Sequence, residues 1–239
     1  MNLALISGTS GLVGMQLLHQ LLRNPAYTYV LSVGRRKLAL KHEKLVQIDG
    51  DLATLNSWDW ENQVNAQSLS GAYQPLIAAI TEKKLTIHAF SSLGTTIKQA
   101  GSQAKFYAVD HDLVLEFARW AKKIGASKFL YVSAMGANAG SSIFYNKVKG
   151  QTEDDLVALQ FPYLGLLRPS LLEGTRHEFR LGEQIASFFM KPLTWLKIAN
   201  NIRPINDHQV AKALVSIALA TSDKSVERFL SSQLQEVKG

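Results

Sequence analysis

Residues 3–14 of the chain, LALISGTSGLVG, decide its fold. The apolar run at 3–7 predicts a short buried strand, and the leucines that follow Gly14 recur at the spacing of one helix face. A second run, YTYVLSV at 27–33, is rich in aromatic and β-branched residues and predicts a second strand. A strand, a helix and a strand in this order form a right-handed crossover with parallel strands.

The same alternation of strand and helix continues outward to residue 168. Further strands are predicted at 45–48, 86–91, 128–133 and 163–168, and helices at 71–83, 106–124 and 142–160. After Pro169 the pattern becomes helical over 170–225, and 226–231 predicts a last strand. We therefore expect an α/β fold, a doubly wound parallel Rossmann sheet with a small C-terminal helical substrate lobe. One domain over 1–239 would hold a cofactor-binding core at 1–169 and the lobe at 170–239.

The composition excludes several classes of protein. The chain has no cysteine, and its six histidines show no metal-binding spacing, so we expect neither thiol catalysis nor a metal site. A net charge of +7 that is spread along the chain suits a small anionic ligand better than a nucleic acid. The sequence has no run of about 18 apolar residues, so we do not expect insertion into a membrane. It shows no basic leader, so we do not expect export. A cytoplasmic protein is expected, either a monomer or a homodimer.

The glycine loop, GTSGLVG at 8–14, predicts a site for a dinucleotide. Glycines in a turn between a strand and a helix allow the backbone to approach a pyrophosphate, and the last one allows the helix to pack on the strand. The unpaired N–H groups of the helix N-terminus favour the negative charge. The predicted contacts are Gly8, Ser10, Gly11, Leu12, Val13 and Gly14. A turn that serves packing alone is the structural alternative.

The residues after the second strand predict which dinucleotide binds. NAD-binding folds usually place an acidic residue here to hold the ribose 2′-hydroxyl, whereas this chain has Arg35 and Arg36. Guanidinium groups can grip a 2′-phosphate with two hydrogen bonds each. We therefore expect NADP(H) to be preferred over NAD(H), with a solvated basic turn as the alternative interpretation.

Three residues predict acid/base chemistry at the carboxyl edge of the sheet. Tyr145 and Lys149 are four apart on a predicted helix and so share one face, and Ser133 ends the preceding strand. A free phenol titrates at about 10, and a neighbouring ammonium together with a bound cationic nicotinamide is expected to lower its pKa toward the working range. Tyr145 would then exchange a proton with a carbonyl or alcohol, Lys149 would tune it, and Ser133 would orient the substrate carbonyl. Structural roles for all three are the alternative.

These motifs resemble the short-chain dehydrogenase/reductase superfamily in its extended or atypical form, and most sharply the Tat-interacting-protein-like oxidoreductases and their bacterial relatives. The resembling stretches are GTSGLVG at 8–14, VGRRKL at 33–38, FSSLGTT at 90–96, FYAVDHDLV at 106–114, LYVSAMGANAGSSIFYNKVKG at 130–150 and LLRPSLLEG at 166–174. The stretch at 52–86, with Trp58 and Trp60, is longer than the family pattern.

The resemblance implies an NADP(H)-binding fold with Ser133, Tyr145 and Lys149 as its catalytic set. It also implies that Tyr145 and Lys149 touch the cofactor. Further implied contacts are Asp51 and Leu52 near the adenine, Leu93, Gly94 and Thr95 along the ribose and nicotinamide, and Pro169 and Leu172 beside the nicotinamide. Asp110 is interpreted as a capping or supporting residue.

The sequence thus favours an NADP(H)-dependent oxidoreductase acting on a small carbonyl or alcohol. Arg176, Arg180 and Lys191 are interpreted as a solvated helix face, with a site for an anionic substrate as the alternative. The apolar run at 185–199 is expected to cover the pocket or core, with binding to a membrane surface or a dimer contact as the alternative. Two other functions stay open, an NADP(H)-binding regulator without turnover and an epimerase or dehydratase of nucleotide sugars. The small lobe argues against the last of these.

Overall fold

The structure, a computed structural model, describes residues 1–58, 73–173 and 203–237. The central strands are β1 (Asn2–Ser7), β2 (Tyr27–Gly34), β3 (Leu45–Asp49), β4 (Thr86–Ser91), β5 (Ala126–Val132), β6 (Tyr163–Arg168) and β9 (Val226–Leu230). Two strands of two residues each, β7 (Leu172–Glu173) and β8 (Ile205–Asn206), form a separate small pair.

Helices connect the strands and cover the sheet. They are α1 (Leu12–Arg23), α2 (Tyr73–Thr81), α3 (Ile97–Ala100), α4 (Gln103–Tyr107), α5 (Leu113–Lys123), α6 (Phe144–Ala158), α7 (Asp207–Leu219) and α8 (Ser231–Glu236). A 3₁₀ helix spans Leu52–Ser57, and one π-helical turn, Ala108–Asp112, joins α4 to α5. The helix predicted at 106–124 is therefore interrupted by this π turn.

The seven central strands pair in the order β3-β2-β1-β4-β5-β6-β9, and every pairing is parallel. The order reverses beside β1, so the loops after β1 and β4 flank the crevice where ligands bind in such sheets. This topology confirms the predicted doubly wound Rossmann sheet. In the described part of the segment at 170–225, which the sequence predicts as helical, the structure has the two-residue strands β7 and β8 as well as the helix α7.

Two apolar layers bury the sheet on both faces. On one face the strands pack against α2, α5 and α6, through side chains such as Phe117, Trp120 and Leu156. On the other face they pack against α1, α7 and α8, through side chains such as Leu17, Leu214 and Leu234. Burial on both faces explains why the strands read as continuous apolar runs in the sequence.

Several predictions fall on residues that the structure does not describe. Arg176, Arg180, Lys191 and the run at 185–199 lie outside the described residues, and so does Trp60. Trp58 is described, and it packs into the core while its indole N–H donates to the Thr54 hydroxyl at 3.0 Å. In the parts of the chain that are described, no helix is long and apolar enough to cross a bilayer.

Candidate active site

The glycine loop lies between β1 and α1, at the carboxyl edge of the sheet. Gly11 precedes the first residue of α1, and neither a side-chain cap nor an acidic residue occupies the first turn of this helix. The N–H groups of that turn therefore keep the capacity to bind an anion. The strand, loop and helix lie in the predicted order, and the dinucleotide contacts predicted for Gly8, Ser10, Gly11, Leu12, Val13 and Gly14 stay predictions.

A close backbone approach joins the glycine loop to the segment after β4. Gly8 has a φ of +85°, and a Cβ atom there would lie 2.6 Å from the carbonyl carbon of Ser92 and 2.7 Å from the amide nitrogen of Leu93. A side chain at Gly8 would thus clash with backbone as well as strain the turn. The Ser92 hydroxyl also donates to the Ser7 carbonyl at 3.0 Å. The loop therefore lies directly against the residues that lead to Gly94 and Thr95.

Tyr145 and Lys149 lie together on α6, as their spacing predicts. The Tyr145 ring is half-buried against Phe106, with 5.7 Å between ring centroids. The Lys149 side chain is only 4% exposed, and its Nζ lies 2.9 Å from the Asp110 carboxylate. The same ammonium donates to the Tyr131 hydroxyl at 2.9 Å. Lys149 is thus held between a carboxylate and a phenol.

Asp110 reaches this site because of the π turn that precedes α5. One carboxylate oxygen pairs with Lys149, and the other accepts the Thr95 amide N–H at 2.8 Å. The Asp110 carbonyl accepts from the Thr152 hydroxyl at 3.0 Å and from the Tyr131 hydroxyl at 3.4 Å. A Cβ atom at Gly94 would lie 3.4 Å from Asp110 Oδ1 and 3.8 Å from Lys149 Nζ. The loop after β4 therefore contacts both the glycine loop and this ion pair.

The electrostatic environment of Tyr145 differs from the one expected. Burial raises the pKa of the Tyr145 phenol, Lys149 lowers it as predicted, and Asp110 raises it, so that the pKa lies above its ordinary value. Burial likewise raises the pKa of Tyr131, to about 12. Burial by itself would lower the pKa of Lys149, but the Asp110 carboxylate and the two phenols hold it well above its usual range. Among the protein's own groups, burial first and Asp110 second thus outweigh the lowering by Lys149. The lowering expected from Lys149 together with a bound cationic nicotinamide stays a prediction.

Ser133 lies just after β5 in a second buried cluster. Its hydroxyl donates to the Glu153 carboxylate at 2.5 Å. Glu153 is 1% exposed and accepts two hydrogen bonds from Arg168, at 2.9 Å and 2.6 Å, and Arg228 Nε lies 3.4 Å from it. The structure thus gives Ser133 a carboxylate partner, and its predicted contact with a substrate stays a prediction.

The two arginines predicted to select the cofactor follow β2 directly. Arg35 and Arg36 are both exposed, and among the described residues neither makes an ion pair, whereas the next residue, Lys37, lies 3.7 Å from Asp49. The glycine loop is tied to this strand because the Thr9 and Ser32 hydroxyls lie 3.1 Å apart in the buried interior. The exposed position of Arg35 and Arg36 directly after β2 agrees with a role at the 2′-position of a ribose, and that role stays a prediction.

The other predicted contacts lie along the same carboxyl edge. Asp51 is exposed and caps the 3₁₀ helix, where its carboxylate accepts the Ala53 N–H at 3.0 Å. Leu52 is buried in the core. Pro169 is buried after β6, and its carbonyl accepts the Met135 N–H at 2.9 Å. Half-buried Leu172 belongs to β7. The predicted cofactor contacts of these residues stay predictions.

Three residues of these clusters escaped the sequence interpretation. Tyr131, Glu153 and Arg168 were given no role. Signals for two of them exist, because Tyr131 lies two residues before Ser133 on one strand face, and Glu153 lies one turn after Lys149 on one helix face. Arg168 ends β6, next to β5, at the same edge.

The parallel sheet and the glycine loop at its carboxyl edge define a nucleotide-binding protein of the Rossmann class. The chain belongs to the NAD dependent epimerase/dehydratase family, whose model matches residues 4–164. The resemblance to the extended short-chain dehydrogenase/reductase superfamily is thereby confirmed at the level of the superfamily.

Curated relatives cover nearly the whole chain. It is 33% identical over 232 residues to "Protein FMP52-1, mitochondrial" of Scheffersomyces stipitis, covering 94% of this chain and 91% of that protein. It is 31% identical over 234 residues to "Protein FMP52, mitochondrial" of Candida glabrata, covering 94% and 88%. Because these relatives carry mitochondrial names, the cytoplasmic location expected from the sequence is contradicted.

Solved structures share the fold at low sequence identity. A UDP-glucose 4-epimerase of Thermotoga maritima, with UDP-glucose, matches with a TM-score of 0.63 at 15% identity, over 95% of this chain and 76% of that one. A short chain dehydrogenase family protein of Francisella tularensis matches with a TM-score of 0.59 at 16% identity, over 98% of both chains. These likenesses confirm the fold.

Proposed function

We propose that this protein is an NADP(H)-dependent oxidoreductase that transfers hydride to or from a small carbonyl or alcohol, with Tyr145 as its acid/base. The observation that carries the proposal is a series of close contacts. It runs from the glycine loop to the loop after β4, and from there to α6, the helix that bears Tyr145 and Lys149. Gly8 lies against Ser92 and Leu93, and Gly94 lies against Lys149. A dinucleotide on the glycine loop would therefore extend toward the phenol.

The residues present fit such a cofactor. The uncapped first turn of α1 offers N–H donors to a pyrophosphate, and the loop at Leu93, Gly94 and Thr95 offers backbone groups to a ribose and a nicotinamide. Lys149 lies beside this loop and would hold the nicotinamide ribose. When bound, the nicotinamide supplies or accepts the hydride.

The chain's own residues supply the proton. In the reductive direction the Tyr145 hydroxyl donates its proton to the oxygen of the substrate carbonyl, and in the oxidative direction the Tyr145 phenolate removes the proton of the alcohol. Ser133 is proposed to orient the carbonyl, as the sequence predicts. A hydroxyl has one proton to donate, so Ser133 must release Glu153 to make this bond.

The catalytic proposal is tested with a panel of aldehydes and ketones and the Tyr145→Phe variant. Removing the phenolic proton should lower turnover by about 10²- to 10⁴-fold, the usual contribution of a general acid, while NADPH binding is retained. Tyr29→Phe, a half-buried tyrosine of β2, is the matched control. Unchanged turnover in Tyr145→Phe would rule out Tyr145 as the proton donor.

The cofactor preference is tested by titrating NADPH and NADH against fluorescence. Arg35 and Arg36 are proposed to bind the 2′-phosphate, so the Arg35→Ala and Arg36→Ala variants should each lose about tenfold or more in NADPH affinity. NADH has no such phosphate, and its affinity should not change. Equal affinities of the wild type for both dinucleotides would refute the preference.

A second candidate function is epimerase or dehydratase activity on a nucleotide sugar. The family's description and the UDP-glucose epimerase neighbour favour it. This chain covers 76% of that epimerase. Turnover of a UDP-sugar without net oxidation of the cofactor would favour this function over the reductase. A protein that binds NADPH tightly and turns over no compound of either class would instead be a regulator.

Two further proposals follow from the relatives and the motifs. The mitochondrial names of the relatives support a mitochondrial location for this protein, which fractionation of cells that express a tagged chain would test. The stretches shared with the Tat-interacting-protein-like oxidoreductases support placement in that subgroup, with an anionic substrate if Arg176, Arg180 and Lys191 face the pocket.

A further inference from the structure

Lys149 does not face Tyr145 as a lone positive charge. Its ammonium lies 2.9 Å from a carboxylate oxygen of Asp110, and the two side chains are 4% and 1% exposed. Because both side chains are buried from solvent, the local dielectric constant is low, and the attraction between opposite charges is much stronger than at the surface. The pair therefore stays formed at neutral pH and presents nearly zero net charge to its surroundings.

Asp110 is also joined to the loop that contacts the glycine turn. Its second carboxylate oxygen accepts the Thr95 N–H at 2.8 Å, and Gly94 leaves room for the pair, since a Cβ atom there would lie 3.4 Å from Asp110. The carboxylate thus holds the ammonium on α6 and the loop after β4 in one arrangement.

The other groups that act on this pair carry no charge at neutral pH. From β5, Tyr131 accepts a hydrogen bond from Lys149 at 2.9 Å. From α6 itself, Tyr145 interacts with both members of the pair. Burial is the first cause that raises the pKa of the Tyr145 phenol. Among the described residues, Lys149 and Asp110 are the charges that act on this phenol, Lys149 lowering its pKa and Asp110 opposing that effect.

We propose that Asp110 is a positioning residue whose carboxylate cancels the charge of Lys149 and ties it to the Thr95 loop, so that Tyr145 keeps its proton and works as a proton donor. The proposal rests on the proposed function and gives it a direction. The site is prepared for carbonyl reduction, in which a phenol is required. Alcohol oxidation requires the phenolate and should proceed only at alkaline pH.

The reductive step balances with the groups named. A reduced nicotinamide, when bound, would supply the hydride for the carbonyl carbon, and the electron pair of the C=O π bond would move to the carbonyl oxygen. That oxygen takes the proton of the Tyr145 hydroxyl, which leaves a phenolate beside Lys149. Water then returns a proton to the phenolate. Through all of this the Lys149 ammonium keeps its proton, because Asp110 holds it.

The test is a titration of Tyr145 in the ligand-free protein by nuclear magnetic resonance with isotope-labelled tyrosine, its signal assigned with Tyr145→Phe. The Asp110→Asn variant keeps an acceptor for the Thr95 N–H but removes the negative charge. The Tyr145 midpoint should then fall by about one pH unit or more, since an unopposed neighbouring cation favours the phenolate. The alkaline rise of alcohol oxidation should move down by the same interval.

Matched variants separate this role from a merely structural one. Asp112→Asn removes an exposed carboxylate from the same π turn and should leave the Tyr145 midpoint unchanged. The double variant Asp110→Asn with Lys149→Met removes both charges and should return the midpoint to near its wild-type value. This variant also serves if Asp110→Asn alone folds poorly, because it leaves no buried ammonium unpaired.

The outcomes are distinct. An unchanged or higher Tyr145 midpoint in Asp110→Asn would overturn the proposal, and so would a double variant whose midpoint stays as low as in Asp110→Asn. Since the titration needs neither cofactor nor substrate, it decides the role of Asp110 independently. A protein that shows the shift but turns over no carbonyl refutes the proposed function alone.

Discussion

Two buried ion pairs lie one turn apart on α6. They differ in their neighbours and in the elements that they join. Lys149 pairs with Asp110 beside two phenols and the loop after β4. Glu153 pairs with Arg168 and holds the Ser133 hydroxyl, so it joins the ends of β5 and β6 to the helix. The first pair lies next to the proposed reacting groups, and the second fixes the strand ends that frame them.

The chemistry of the two cations explains this division. A guanidinium stays charged at any pH a protein survives and forms two parallel bonds to a carboxylate, which suits a permanent connection. An ammonium is a compact charge whose protonation responds to burial and to neighbours. Arg168 thus suits the frame. Lys149, a compact charge that Asp110 keeps protonated, suits the place beside Tyr145, whose proton moves.

The largest expected effect is on the frame. Glu153→Gln keeps the size of the side chain but leaves Arg168 with no carboxylate partner in a largely buried place. We expect the free energy of unfolding to fall by about 3 to 5 kcal/mol, the usual loss when one partner of a buried pair is removed. Urea denaturation measures this loss. Asp154→Asn, the exposed neighbouring residue, is the control and should change stability by less than about 0.5 kcal/mol.

A smaller effect is expected when only the hydroxyl of that cluster is removed. Ser133→Ala deletes the 2.5 Å hydrogen bond to Glu153 and should cost about 1.5 to 3 kcal/mol, as for other hydrogen bonds to a charged group. Ser127→Ala, on the same strand, removes a bond to the neutral Ile87 carbonyl and should cost less. Equal losses in the two variants would show that the Glu153 bond has no special strength.

The same Ser133→Ala protein tests the role that the sequence predicts for this residue. If Ser133 orients the substrate carbonyl, kcat/KM per folded molecule should fall by about tenfold or more, since a lost donor in the site costs on the order of 1.4 kcal/mol or above. If kcat/KM is retained, Ser133 belongs to the frame alone. The measurement therefore decides whether Ser133 belongs to the proposed active site as well as to the Glu153 cluster.

The sheet, the glycine loop and the placement of Tyr145 beside Lys149 could be predicted from the sequence, because each arises from a local pattern. The strands are short apolar runs with clear ends, and Tyr145 and Lys149 are brought together by the period of a single helix. The glycine loop is likewise a local motif. Each of these features depends on residues that are close in the chain.

Tertiary partners could not be predicted in this way. The bond between Asp110 and Lys149 depends on how a π turn before α5 lies against α6, and the sequence gives no signal for that turn. The pairing of Glu153 with Arg168 depends on burial between a helix and a strand end. The two-residue strands β7 and β8 are too short to show any period. For this reason the sequence placed Lys149 beside Tyr145 and indicated a capping or supporting role for Asp110, but it did not predict that Asp110 pairs with Lys149.

The smallest expected effect is a difference between the two clusters in how the free energy of unfolding depends on pH. The pKa of Lys149 is raised in the folded protein, so the folded state retains a proton that the unfolded chain loses above about pH 10.4. The stability that Lys149 contributes is therefore complete below that pH and declines as the pH rises through the folded pKa, by about 1 kcal/mol per pH unit. In Lys149→Met this part of the decline should disappear from urea denaturation curves between about pH 10.4 and 11.4. Lys147→Met, exposed on the same helix, should keep the wild-type slope, and so should Glu153→Gln, because Arg168 holds its proton throughout. A slope that is unchanged in Lys149→Met would mean that Lys149 is not the titrating member of the pair, and the contrast between a titratable site and a permanent frame would fail.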